Sequence, residues 1–125
     1  LLPGRDVMLI ASGYCVSEAL EAAQLLRQEG IEAGVMDMFT WKPLDREAVL
    51  EAAACGAIVT AENHNVINGL GSAVAEVLVQ NRPVPMEMVG VKDEFGEVGP
   101  VDYLRERFGL TAEAIAAAAL ARKAQ

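Results

Sequence analysis

The sequence predicts an α/β domain with three layers, α/β/α, built around a mostly parallel sheet of four to five strands. Short apolar runs alternate with segments of helical periodicity along the whole chain. The runs are apolar at successive positions, as in strands buried on both faces, and the segments between them are long enough for crossover helices. Hydrophobic residues make up 53% of the 125 residues. This is sufficient for one core and predicts a single domain over residues 1–125.

The first β-α-β unit follows a predicted linker tail at residues 1–5. Residues 6–13 form an apolar run that ends in Ser-Gly, which predicts a buried strand followed by a turn. The segment VSEALEAAQLLRQEG has helical spacing, with Ser17 as the predicted N-cap and Gly30 as the C-terminal stop. IEAGVMDMF, residues 31–39, is the second predicted strand. The unit therefore predicts two parallel strands joined by a right-handed crossover.

The remaining elements continue the alternation. They are a helix at 46–54, a strand at 57–62, a helix at 71–80, a strand at 84–91 and two C-terminal helices that begin near Pro100 and Thr111. Asp45 and Thr111 are predicted N-caps, and Gly56 is a predicted helix stop. The residue three positions after Thr111 is Ala114, so the acid that would complete a capping box is missing there.

The charge of the chain argues against several classes of function. Its formal net charge is −8, whereas nucleic acids and anionic membranes bind basic surfaces. No apolar run approaches the roughly 18 residues of a membrane span. The N-terminal residues lack the layout of a signal peptide, so a cytoplasmic location is predicted. Cys15 and Cys55 have no metal-type spacing and are predicted to be reduced thiols.

The segment TAENHNVINGLGSAVAEVLVQ, residues 60–80, contains the candidate site. In open parallel sheets ligands bind beyond the carboxyl ends of the strands. Here such an end carries Glu62, His64 and Asn65, and Gly69 and Gly71 follow. The glycines would let backbone N–H groups approach an anion at a helix N terminus, and His64 is a candidate general acid or base. The alternative is a tight strand-to-helix turn in which His64 braces the loop or contacts a subunit.

No complete catalytic set accompanies this segment. The P-loop lysine is missing, no nucleophile can be paired with His64, and one histidine with two distant cysteines does not make a metal site. We therefore assign no catalytic, cofactor-binding or metal-binding residue, and interpret the five residues of the candidate site as possible interface or anion contacts. Loops 12–16 and 39–44 also lie at predicted carboxyl ends. Loop 92–100 and Trp41 are interpreted either as partner contacts or as ordinary loop residues.

Three segments, in order, resemble the C-terminal domain of transketolases. They are GRDVMLIASGYCVSEALEAAQLLRQEGIEAGVMDMFTWKPLD, then TAENHNVINGLGSAVAEVL with its Glu-x-His and Gly-Leu-Gly groups, then VGVKDEFGEVGPVDYLRERFGLTAEAI. The resemblance covers nearly the whole chain. The same domain occurs in 1-deoxyxylulose-5-phosphate synthases and in the beta subunits of 2-oxo acid dehydrogenases. The closing RFGLT favours transketolase, especially the type divided into two subunits.

The resemblance implies a thiamine diphosphate enzyme of the pentose phosphate pathway that moves two-carbon ketol units between sugar phosphates. In this family the diphosphate and magnesium are held by a Gly-Asp-Gly…Asn motif in another domain, and that motif is absent from this chain. The resemblance therefore implies a domain that binds no cofactor, is inactive alone, and packs against other domains or an N-terminal subunit as part of a homodimer. Asn63 and Asn68 stand where the family often has glutamate and glycine.

Three alternatives stay open at this point. One is the equivalent domain of a 2-oxo acid dehydrogenase beta subunit or of a 1-deoxyxylulose-5-phosphate synthase. Another is an α/β regulatory module that binds an anion at the helix start near Gly69 and Ser72. The last is a small independent enzyme that uses His64.

Overall fold

The computed structural model describes residues 3–38, 45–66, 69–91, 103, 106–107 and 109–123. Eight helices and strands are bounded within these residues. They are β1 Val7–Ala11, α1 Cys15–Gln28, β2 Ala33–Asp37, α2 Arg46–Ala53, β3 Ile58–Asn65, α3 Leu70–Asn81, β4 Met86–Val91 and α4 Ala112–Lys123. Each strand and helix was predicted from the sequence, and most ends differ by only a few residues.

The four strands form one sheet in the order β2-β1-β3-β4, and every neighbouring pair is parallel. The central strand β1 places Leu9 beside Val35 of β2 and Val59 of β3. From β1 the chain moves outward to β2, and then returns past β1 to form β3. The carboxyl ends of β1 and β3 therefore flank the topological switch point, where α/β proteins bind ligands.

Helices cover both faces of the sheet, which confirms the predicted three-layer α/β/α class. Because side chains alternate along a strand, Leu9 of β1 packs into one core with α1 and α4, and Ile10 packs into a second core with α2 and α3. Ile115 of α4 and Val74 of α3 are fully buried in the first and second core. The first core is rich in alanine, so α1 and α4 lie close to the sheet, whereas the second core consists mainly of larger aliphatic side chains.

The predicted N-cap of α1 is wrong. The helix begins at Cys15 and its N-cap is Tyr14, while Ser17 lies inside the helix and donates its hydroxyl to the Tyr14 carbonyl oxygen at 2.9 Å. A serine in the first turn can bond backward to a carbonyl as readily as it can cap, so its sequence position did not distinguish the two roles.

The predicted helix ends at Asp45, Gly30 and Thr111 are confirmed. Asp45 accepts a hydrogen bond from the Ala48 N–H at 3.1 Å, as an N-cap does. After α1, Gly30 has a φ of 79°, a left-handed conformation that glycine adopts without strain. The Thr111 hydroxyl accepts from the Ala114 N–H at 3.2 Å at the start of α4.

Some predicted features lie outside the described residues. These are loop 39–44 with Trp41, and loop 92–100. Of the helix predicted to begin near Pro100, Tyr103, Glu106 and Arg107 are described and are helical. None of the helices in the described part of the chain is both long enough and apolar enough to cross a membrane.

Candidate functional site

The candidate site begins where β3 extends past its neighbour β1. Pairing between the two strands ends at Ala11 and Ala61, and the Ser12 N–H donates to the Ala61 carbonyl oxygen at 3.1 Å. Strand β3 continues to Asn65, which pairs with Val91 of β4 after a shift in register. The strand is therefore longer than the predicted 57–62, because pairing with β4 extends it beyond the edge of β1.

Glu62 is buried at this end of β3, with 1% of its surface exposed. One carboxylate oxygen, Oε1, accepts a hydrogen bond from the Leu70 N–H at 2.9 Å, and Oε2 accepts from the Gly71 N–H at 2.8 Å. These two N–H groups belong to the first turn of α3, where a helix has unpaired donors and a partial positive charge. Glu62 therefore supplies the anion of this helix start from within the chain.

The two glycines of the candidate site have different functions in the fold. Gly69 is the N-cap of α3 in an extended conformation and offers no side-chain cap. Gly71 lies where a Cβ atom would be 2.8 Å from Met88 Sδ and 3.0 Å from Thr60 Oγ1. Glycine at 71 lets α3 approach the sheet closely, as the prediction of a close-packed turn requires.

Replacing Thr60 by valine is expected to raise the free energy of unfolding by about 1 kcal/mol. The Thr60 hydroxyl is fully buried and has no hydrogen-bond partner among the described residues. Valine removes this polar group with almost no change of shape. Urea denaturation measures the difference. Thr60→Ser keeps the hydroxyl and is expected to be no more stable than the parent; a Thr60→Val protein that is no more stable would show that the hydroxyl has a partner.

Asn63 of β3 lies at the switch point, close to the loop that follows β1. Its Oδ1 is 2.8 Å from the position that a Cβ on Gly13 would take, and Gly13 has a φ of 61°. The Asn63 side chain is exposed. Asn63 therefore brings the end of β3 close to the loop that follows β1. This is the position at which the transketolase family often has glutamate.

The other two candidate residues, His64 and Asn65, lie on the last residues of β3. The structure describes their backbone and not their side chains, so their contacts stay a prediction. Within the described residues, no group of three or more His, Cys, Asp and Glu is placed to hold a metal ion. Neither cysteine is in a disulfide; Cys15 is buried, and Cys55 is partly buried and donates its thiol to the Gly4 carbonyl oxygen at 3.3 Å.

A second buried carboxylate was missed in the sequence. Glu18 of α1 is 6% exposed, and its Oε2 accepts from the Ala112 N–H at 3.1 Å, at the start of α4. The signal available in the sequence was the incomplete capping box at Thr111. The acid of a capping box would accept from the Thr111 N–H; Glu18 accepts from the next N–H, that of Ala112, and lies 94 positions away, which no local pattern indicates.

An open groove of about 690 Å³ lies away from the candidate site, at the amino end of β2. It is lined by Pro3, Ala23, Gln24, Arg27, Gly30, Ile31, Glu32 and Ala33. Arg5 pairs with Glu32 at 2.9 Å beside it, and both side chains are more than half exposed. The groove contains no residue of the candidate site.

Comparison with known proteins identifies the family. Residues 1–115 match the model of the transketolase C-terminal domain. A 6-deoxy-6-sulfo-D-fructose transketolase subunit from a Clostridium species is 57% identical over 120 residues, which are 95% of this chain and 37% of that protein. A 1-deoxy-D-xylulose-5-phosphate synthase from Geobacter sulfurreducens is 45% identical over 94% of this chain and 19% of its own length.

Solved structures agree with these relatives. The inactive β4 tetramer of a split-gene transketolase superposes with a TM-score of 0.94 at 50% identity, over 98% of this chain and 41% of that one. The chain thus spans well under half the length of the proteins to which it is similar. The family resemblance found in the sequence is confirmed: the chain belongs to the transketolase C-terminal domain family.

Proposed function

We propose that this chain is the C-terminal domain of a transketolase divided into two subunits, and that it takes part in two-carbon ketol transfer only together with its partner. The observation that carries the proposal is its 50% identity and TM-score of 0.94 with the β chain of a split-gene transketolase. That relative is described as an inactive β4 tetramer, which supports the expectation that this chain is inactive alone.

In this proposal thiamine diphosphate and magnesium are bound by other domains. When bound, the cofactor supplies the carbanion that carries the ketol unit. The geometry supports placing it elsewhere, because the first-turn N–H groups of α3 already donate to Glu62 at 2.8 and 2.9 Å. A diphosphate at this helix start would have to displace a buried carboxylate from the same donors.

The domain's own contribution in this proposal is packing. The segment 63–66 extends past β1 at the carboxyl edge of the sheet and is fixed there by pairing with β4. We propose that this segment, including His64 and Asn65, contacts another domain or the N-terminal subunit, and that the assembled enzyme is a homodimer. We also propose that the enzyme is cytoplasmic and takes part in pentose phosphate metabolism. In the same proposal, residues 1–5 are a linker that precedes a single domain.

The test is reconstitution of ketol transfer. The purified chain is assayed with thiamine diphosphate, magnesium, a ketose phosphate donor and an aldose phosphate acceptor, with and without the remaining domains of the same enzyme, those of its own subunit and the N-terminal subunit. A parallel reaction uses 6-deoxy-6-sulfo-D-fructose as donor, because a relative is named for it. We expect transfer only in the mixture. Transfer by the chain alone, or none in a mixture that forms a complex, would contradict the proposal.

A second candidate is the corresponding domain of a 1-deoxyxylulose-5-phosphate synthase. The observation that favours it is the 45% identity with the Geobacter sulfurreducens synthase, which spans 94% of this chain. A second reaction of the reconstituted mixture, in which pyruvate replaces the ketose phosphate as the two-carbon donor, separates the two candidates. Formation of 1-deoxy-D-xylulose 5-phosphate without ketol transfer would support the synthase, and ketol transfer without that product would support the transketolase.

A further inference from the structure

The start of α3 depends on one side chain that lies outside the helix. The N-cap, Gly69, has no side chain, and the first turn of α3 contains no acidic residue. The N–H groups of Leu70 and Gly71 bind separate oxygens of Glu62. A free carboxylate or phosphate at a helix N terminus would occupy the same position. The structure therefore contains an anion site that is filled by the chain itself.

The surroundings of this site are closed. Glu62 is 1% exposed, and Thr60 and Leu70 are fully buried. Even a single added carbon at Gly71 would come within 3.0 Å of the Thr60 hydroxyl. Buried N–H groups that lose their acceptor cannot turn to bulk solvent. The two donors of α3 therefore depend on the Glu62 carboxylate, and truncation of this side chain would leave a space the size of a small carboxylate.

The contact between Glu62 and the start of α3 also fixes the beginning of segment 63–66. At the end of that segment, the Val66 N–H donates to the Val91 carbonyl oxygen at 2.9 Å, and the Ser72 hydroxyl donates to the Val66 carbonyl oxygen at 2.9 Å. The segment thus follows directly after Glu62, which is bound to α3, and ends at Val66, which is bound to both β4 and α3. Of these hydrogen bonds, only those accepted by Glu62 involve a charged group, and charged hydrogen bonds are stronger than neutral ones.

We propose that Glu62 is a positioning residue: it is the internal anion of α3, and through this contact it sets the conformation of segment 63–66. The role of the segment as a subunit contact rests on the proposed function. The effect of Glu62 on the segment does not rest on it. Two consequences follow: a folded protein without the carboxylate has an altered segment, and a small external carboxylate restores it.

The experiment uses Glu62→Ala and the only histidine in the chain, His64, as a reporter within the segment. The ring resonances of His64 are recorded by NMR at a temperature where circular dichroism shows the variant to be folded. We expect shifted His64 resonances and a melting temperature lower by about 10 °C. Sodium formate is expected to return both toward the parent values, and sodium chloride at equal ionic strength is not. Glu76→Ala, which changes an exposed glutamate of α3, is the matched control.

Either of two results would overturn the inference. One is a parent-like His64 spectrum in folded Glu62→Ala, because Glu62 would then contribute stability alone. The other is a response to formate no larger than that of Glu76→Ala. If Glu62→Ala does not fold, the His64 spectrum of Glu62→Gln is compared with that of the parent, since glutamine keeps one acceptor oxygen but carries no charge. A parent-like spectrum of Glu62→Gln would then overturn the inference. Binding of the parent chain to the N-terminal subunit is measured separately, so failure of the proposed function leaves these results interpretable.

Discussion

Replacing Glu18 by alanine is expected to lower the free energy of unfolding by about 2–3 kcal/mol. The substitution leaves the Ala112 N–H without its carboxylate acceptor, 3.1 Å away in the parent, and removes a negative charge from the start of α4. Glu18 is 6% exposed, so water does not readily replace it. Helix α4 supplies the fully buried Ile115 to one of the two cores. Loss of the hydrogen bond between Glu18 and Ala112 is therefore expected to loosen the packing of α4 against one face of the sheet. Urea denaturation followed by circular dichroism measures the change.

The matched control is Glu21→Ala, which removes an exposed glutamate from the same helix. We expect its effect to stay within about 0.5 kcal/mol. Glu18→Gln keeps an oxygen acceptor without the charge and is expected to fall between the two. Equal stabilities of Glu18→Ala and Glu21→Ala would mean that the contact between α1 and the start of α4 contributes nothing to folding.

Replacing Gly71 by valine is expected to destabilise the protein by about 3 kcal/mol. The new Cβ would lie 2.8 Å from Met88 Sδ, 2.9 Å from Met88 Cγ and 3.0 Å from Thr60 Oγ1. These distances are too short for carbon, so the Met88 side chain, α3 or both must shift. Because the Gly71 N–H donates to Glu62, a shift of α3 also weakens the hydrogen bond at the helix start. The midpoint of urea denaturation reports the loss.

A second substitution tests this cause directly. Met88→Ala removes the two methionine atoms that the new side chain would meet, so Gly71→Val and Met88→Ala together are expected to destabilise by less than the sum of their separate effects. Glu76→Val, at an exposed position of α3, controls for the low helix propensity of valine and is expected to change stability by less than about 0.7 kcal/mol. Strict additivity of the pair would rule out a clash with Met88.

The two buried glutamates have the same function at two helices. Glu62 binds the start of α3, and Glu18 binds the start of α4. Each lies outside the helix that it caps, and the two helices cover opposite faces of the sheet. Each contact joins a helix start to another element through a charged hydrogen bond. Loss of either carboxylate is therefore expected to affect how a helix is placed on the sheet, in addition to how well the helix forms.

The sequence predicted those features that depend on residues close together in the chain. The alternation of apolar strands with helical segments predicted the three-layer parallel fold, and Asp45, Gly30 and Thr111 predicted helix ends correctly, because a cap or a stop acts within about one turn. The prediction failed at Ser17, where two local hydrogen bonds competed and the backward bond to Tyr14 formed.

What the tertiary structure decided involves partners that a local pattern does not contain. The order β2-β1-β3-β4 and the length of β3 follow from which strands pair. The need for glycine at position 71 of α3 follows from the nearby Met88 side chain of β4. Glu62 was recognised in the sequence only as a possible contact, and the role of Glu18 was not recognised. Their functions emerged when folding removed both carboxylates from water and placed them against unpaired N–H groups, since a buried charge is stable only where such donors meet it.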